Sequence, residues 1–207
     1  MSVPPTLSLG LVDMNNGVAN QATRCFRRIL DSFQRRVEAQ NPNLRITFEH
    51  LQPRNLGQIP DLRFDFLLSS GGPGAPLDGF DDAWGLGYRK FLDDVANANA
   101  KNPHDSTKTF LVCHSFELAV LHFRVAEMRR RASPKFGVMP AYLTDGGQQH
   151  DYLSHFGYRL FAWEHRDWEA VDIDEARLAA LGGKVLAHEA HAESVVNTGD
   201  AILGIHF

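Results

Sequence analysis

Four short apolar runs limit how this chain can fold: Leu7 to Met14, Leu44 to Leu51, Phe64 to Leu68 and Thr109 to Cys113. Each has the length of a buried strand, and turn residues such as Asn15-Asn16-Gly17 bound the first of them. Helical stretches accompany them. From Gln21 to Ala39, the residues Phe26, Ile29, Leu30, Phe33 and Val37 fall at helical spacing with arginines between them. Asp81 to Ala100 reads as a long helix, and Phe116, Leu118, Ala119, Leu121, His122 and Val125 mark another after Cys113. Strands alternating with helices build βαβ units, which give a mostly parallel sheet with helices on both faces. After Val125 the texture changes. Phe136 to Leu143, Tyr158 to Trp163, Lys184 to His188, Ser194 to Asn197 and Ala201 to Phe207 read as strands, interrupted by one short helix from Asp174 to Leu181. No repeat, low-complexity tract or linker divides the 207 residues, so a single α/β domain is expected, with a strand-rich C-terminal half.

Composition excludes some functions. A hydrophobic content of 43% can fill a core, and the net charge of −4 leaves no basic surplus for nucleic acid. The one basic run, Arg129-Arg130-Arg131, reads as cations closing the helix after Cys113, where they would favour its dipole. No apolar run is long enough to span a membrane, and MSVPPTLSLGLVDM lacks the basic head and apolar stretch of a signal peptide. Cys25 and Cys113 lie too far apart in sequence to suggest a disulfide framework. A reduced, cytoplasmic protein is expected. Cys25, beside Phe26 and Ile29, reads as a core thiol. His188 and His191 in AHEAHAE do not form HExxH and point to opposite faces of a strand, so no metal site is expected.

Two junctions carry chemistry. SSGGPGAP follows a buried strand directly, and Gly71, Gly72 and Gly74 can take backbone angles closed to other residues, with Pro73 stiffening the turn. The lysine and spacing of a P-loop are absent, and so is GxGxxG. Two readings remain: an oxyanion hole built from backbone N–H groups, or a tight strand-end turn. Cys113 sits at the next strand-to-helix junction, on the same sheet edge, where open α/β sheets place their ligands.

FDFLLSSGGPGAP, the strand–Cys113–helix segment and the closing GDAILGIHF together resemble class I glutamine amidotransferases. That family's pattern is an apolar strand with S-G-G-P-G, a G-x-C-x-G-x-Q elbow and a final G-x-Q-F-H-P-E. KFGVMPAYLTDGG and FAWEHRDWEAV are similar to the strand-rich part of its GMP-synthase-type branch. The fold implied is α/β and flavodoxin-like: a mostly parallel open sheet with helices on both faces. The activity implied is a glutaminase. Cys113 would attack the glutamine side-chain amide, release ammonia to a synthase partner or domain, and leave a thioester for water to hydrolyse. The N–H groups of Gly72 and His114 would form the oxyanion hole. The helix from Ser115 would lower the thiol pKa. Gly74, Glu117, His165 and Asp167 would line the substrate site, while a solvated turn with aromatic cover is the other reading of WEHRDWE, which holds His165 and Asp167. No cofactor is implied.

The chain departs from that pattern at four places. Leu111 and Ser115 stand at the two glycines of the elbow, so Leu111 has to be accommodated by the neighbouring strand. Glu117 replaces the substrate-contacting glutamine; a carboxylate there would accept from the α-amino group and repel the α-carboxylate. His206 falls in the glutamine slot of the last motif, and the expected His-Pro-Glu would follow Phe207, so the chain reads as stopping just short of it. These departures leave a second reading: an altered or inactive relative that binds a small ligand or a partner. A third is a hydrolase of other γ-glutamyl amides.

Overall fold

A computed structural model describes residues 4–102, 107–189, 193–198 and 202–205. The four apolar runs become β1 (Thr6–Val12), β2 (Arg45–Leu51), β3 (Phe66–Ser69) and β4 (Lys108–Val112). Helices α1 (Gln21–Gln40), α3 (Ala83–Lys101) and α4 (His114–Phe123) connect them, with a single turn, α2 (Pro53–Leu56), after β2. The remaining elements are β5 (Glu127–Leu143), α5 (Asp145–Gln148), β6 (Arg159–Val171), α6 (Glu175–Ala180), β7 (Lys184–His188), β8 (Glu193–Thr198) and β9 (Ile202–Ile205).

Among the described residues, nine strands join one sheet in the order β2-β1-β3-β4-β9-β8-β6-β5-β7. The pairings from β2 to β9 are parallel, and those from β9 onward are antiparallel. Because β7 pairs with both β5 and β8, and β6 with β8, these last four strands close on one another. Alternation along the parallel strands sends side chains to two faces. Leu9, Leu11, Ile46 and Leu68 meet α1 through Phe26, Leu30, Phe33 and Val37. Val12, Leu67 and Leu111 face Tyr88, Phe91 and Leu92 of α3, with Phe116 and Leu118 of α4. A third cluster joins Val112 to Leu143, Leu160 and Leu186 beneath the antiparallel strands.

Several expectations are corrected. Arg129-Arg130-Arg131 does not close α4. That helix stops at Phe123, Arg124 turns the chain at φ 53°, and the arginines lie in β5. They pair along β6 from Glu127 opposite Val171, with a register shift between Arg130 and Lys135, where Pro134 has no N–H for a ladder. Cys25 is exposed, not a core thiol, and Ile29 is exposed with it. The buried stripe of α1 runs through Phe26, Leu30 and Phe33, and both residues fall just off it. The second half also holds more than one short helix, namely α5 and a 3₁₀ turn at Ser154–Phe156 besides α6. His191, His206 and Phe207 lie outside the described residues.

Candidate active site

From β1 the chain steps out to β2 and returns across β1 to β3, so the strand order reverses beside β1. Ligands of open α/β sheets bind at such a point, outside the carboxyl ends of the strands. The glycine loop follows β3 there, and Cys113 follows β4.

Cys113 caps α4 with φ 54° and ψ −113°. A non-glycine residue held there stores about 1–3 kcal/mol of strain, as at a strand–nucleophile–helix turn. Neighbouring residues hold it in place. Leu111 is paired in register with Ser69 on one side and Gly204 on the other, both small. The room left by Gly204 is taken by the Phe116 ring, since a Cβ there would stand 2.6 Å from Phe116 Cδ2. Leu111 thus joins the core with Phe116, a burial that contributes about 2 kcal/mol. Ser115 Oγ donates to the Ser70 carbonyl at 2.6 Å and lies 2.7 Å from Ser69 Oγ, which accepts from the Tyr88 hydroxyl at 2.9 Å. This buried chain ties the first turn of α4 to the end of β3. Burial pushes the Tyr88 phenol up to about 12, against the pull of the two serines, so it stays a neutral donor.

The loop lies against the cysteine. A Cβ at Gly71 would stand 2.9 Å from Cys113 Cβ and 3.3 Å from its Sγ. Gly72 backs onto the end of β1, where a Cβ would overlap the Met14 carbonyl oxygen. Arg54 of α2 fastens these two stretches: its Nη1 donates to Met14 O at 3.2 Å and to Pro73 O at 2.8 Å. Its guanidinium lies over the Trp84 ring at 5.2 Å. Gly74 sits at φ 115° beside Asp78, whose carboxylate accepts from the Ala75 N–H at 2.7 Å.

The expected fall in thiol pKa is overturned. The helix does begin at the cysteine, at His114 rather than Ser115, but burial and the nearby Glu117 carboxylate push the thiol up to about 12. The His114 N–H bonded to it and the Arg166 charge pull the other way and are outweighed. Glu117 is buried in the first turn of α4, with Oε2 3.2 Å from His114 Nδ1. The His114 ring is buried as well, its centroid 6.4 Å from that of Trp84.

Thus Cys113, the glycine loop, His114 and Glu117 come together, whereas His165 and Asp167 do not join them. Strand β6 alternates, and both face outward and are exposed, His165 edge-on to Phe136 at 5.3 Å. The inward residues are Glu164 and Arg166. Arg166 donates to Glu164 at 2.7 Å and to Glu189 at 2.5 Å. Lys135 bridges the same two carboxylates, and Arg131 joins Glu189 at 3.0 Å and Glu169 at 2.7 Å. A pairing of WEHRDWEAV with a family motif, residue by residue, passes over these groups. The signal that finds them is the strand's phase: Leu160 and Ala162 pack inward, so Glu164 and Arg166 follow at period two. Among the described residues no three His, Cys, Asp or Glu side chains gather where they could hold a metal ion. No helix there is long and apolar enough to cross a membrane.

The strand order, the strained cysteine turn and the glycine loop packed on it define an α/β fold of the class I glutamine amidotransferase kind. Solved structures agree. A protein assigned as a GMP synthase subunit, from Thermoplasma acidophilum, superposes with a TM-score of 0.63 at 16% identity, covering 96% of this chain and 82% of that one. A glutamine amidotransferase from Thermotoga maritima gives 0.60 at 10% identity, over 96% and 74%. The glutaminase domain of a Trypanosoma brucei CTP synthase, solved with bound acivicin, gives 0.60 at 13% identity, over 96% and 84%. No protein-family profile matches the chain, and no curated protein matches it in sequence.

Proposed function

We propose that this chain is a cysteine-dependent amidohydrolase of the amidotransferase type, acting on glutamine or a related γ-glutamyl amide. Cys113 Sγ attacks the amide carbon, and the oxyanion that forms takes hydrogen bonds from the N–H groups of Gly72 and His114. Collapse expels ammonia, which leaves with an added proton. Water then cleaves the thioester to the carboxylate and restores the thiol. The observation that carries this reading is a non-glycine residue at φ 54° with Gly71 of the glycine loop against its sulfur, which supports a nucleophile beside backbone donors. The order β2-β1-β3-β4-β9 supports a flavodoxin-like sheet with its ligand at the β1/β3 reversal. Structural neighbours that include one synthase's subunit, and the glutaminase domain of another, support a synthase as ammonia acceptor.

A second reading is favoured by the thiol itself, raised to about 12 beside a buried Glu117. On that reading the scaffold binds an amino-acid-like ligand without turnover. Labelling decides between them. A diazo-ketone analogue of glutamine should alkylate Cys113 and spare the exposed Cys25, with excess glutamine protecting. Peptide mass spectrometry finding label on Cys25 alone, or no protection by glutamine, would remove Cys113 as nucleophile for this substrate class.

A further inference from the structure

The β5–β6 ribbon is inverted along half its length. Its inward side carries the ion pairs of Lys135, Glu164 and Arg166. Its outward side carries Phe136, Val138, Phe161 and Trp163, left 60%, 63%, 57% and 59% exposed. Register makes them one patch, with Val138 opposite Trp163, Pro140 opposite Phe161 and Phe136 opposite His165. The Phe136 and Trp163 rings meet edge-on at 5.1 Å. Arg159 extends the patch to Tyr158, lying over the Tyr158 ring at 5.2 Å and the Phe161 ring at 5.0 Å.

An aromatic side chain buries 150–250 Å² when covered, so each of these rings leaves roughly 100 Å² in water and the patch roughly 500 Å². That reaches the upper end of what a monomer exposes. With a polar rim it approaches the ~800 Å² per partner of a stable complex. We propose that this face is the contact between two copies of the chain. A two-fold axis lying parallel to this face, between two copies, lets the same patch meet itself in an isologous, closed contact. Charge points the same way. From Phe136 to Tyr142 and from Arg159 to His165, the outward positions carry one fixed charge, Arg159, and no carboxylate. A surface selected for a differently charged partner would carry a charge pattern to match; this one is suited to an apolar copy of itself.

Sedimentation velocity on the full chain tests this. The wild type should move from monomer to dimer across the micromolar range. Val138→Lys and Trp163→Glu should each weaken association by about tenfold or more. Ile29→Ser, on the exposed side of α1, should leave it unchanged. A measurement without variants guards against misfolding: hydroxyl-radical labelling of Phe136, Phe161 and Trp163 in the wild type should fall as concentration rises. A wild type that stays monomeric, a dimer that both variants retain, or labelling independent of concentration would each overturn the proposal.

Discussion

At Cys113 two demands conflict. Catalysis by a thiol needs thiolate, and a helix N-terminus normally supplies some of that stabilisation. Here burial and Glu117 win, and the thiol is pushed from 9.0 to about 12. Each pH unit below the pKa removes tenfold of thiolate, so near pH 8 only about one part in ten thousand is ionised. Two expectations follow for alkylation by iodoacetamide, read peptide by peptide against the exposed Cys25. The Cys113 rate should climb with pH without levelling off below pH ~10. Glu117→Gln removes the second cause of the shift, so the pKa falls and the rate at fixed pH should rise several-fold. An unchanged rate in that variant would mean that the carboxylate does not act on the sulfur. Sequence places the cysteine correctly at its turn; the direction of its pKa depends on burial, which the order of residues does not encode.

The strands that pair charges beneath the sheet, β5 and β6, are the elements least legible in the sequence. Arg129 to Arg131 follow a helix and suit its C-terminus, yet they lie in β5, where Arg129 and Arg131 meet Glu169. Local spacing cannot see a partner some forty residues away. Glu189, just beyond β7, completes the cluster by bonding Arg131, Lys135 and Arg166. Burial would raise its carboxyl, but Lys135 and Arg166 outweigh that and hold it below 4.5. Since the folded pKa is the lower one, this stabilisation is complete above the unfolded value and is lost as pH falls through the folded value. Glu189→Gln should therefore lower stability near pH 7, by about 1.5–3 kcal/mol, the range for hydrogen bonds to charged groups, since Glu189 is half-buried. The gap to wild type should narrow as pH falls through the carboxylate range. Thermal unfolding of both proteins between neutral and acid pH measures it, and a gap independent of pH would mean that the glutamate contributes packing alone.

Across the whole molecule, the parallel half is readable because its strands are continuous apolar runs between amphipathic helices. The first four strands lie within two residues or so of where those runs place them. The antiparallel half breaks that correspondence, since its ribbon buries Glu164 and Arg166 and exposes Phe161 and Trp163. The same division bears on turnover. Expelling ammonia requires a proton and cleaving the thioester requires a base, tasks that one imidazole performs in Cys–His enzymes. Four of the described imidazoles have partners of their own: His50 with Asp13 at 3.1 Å, His114 with Glu117, His122 with Asp93 at 2.8 Å, and His165 against Phe136. Among the described residues no imidazole is bonded to the Cys113 sulfur, and a cysteine site of that kind should be open to rescue from solution. The 207-residue chain should therefore release ammonia from glutamine slowly at neutral pH, and added imidazole should raise the rate in proportion to its concentration. Cys113→Ala should abolish the effect, which separates rescue of the site from general buffer catalysis. Fast release without imidazole would mean that one of the remaining histidines reaches the sulfur. Glutamine binding, detected by calorimetry, with no release at any imidazole concentration would place the chain among scaffolds that hold the ligand and do not cleave it.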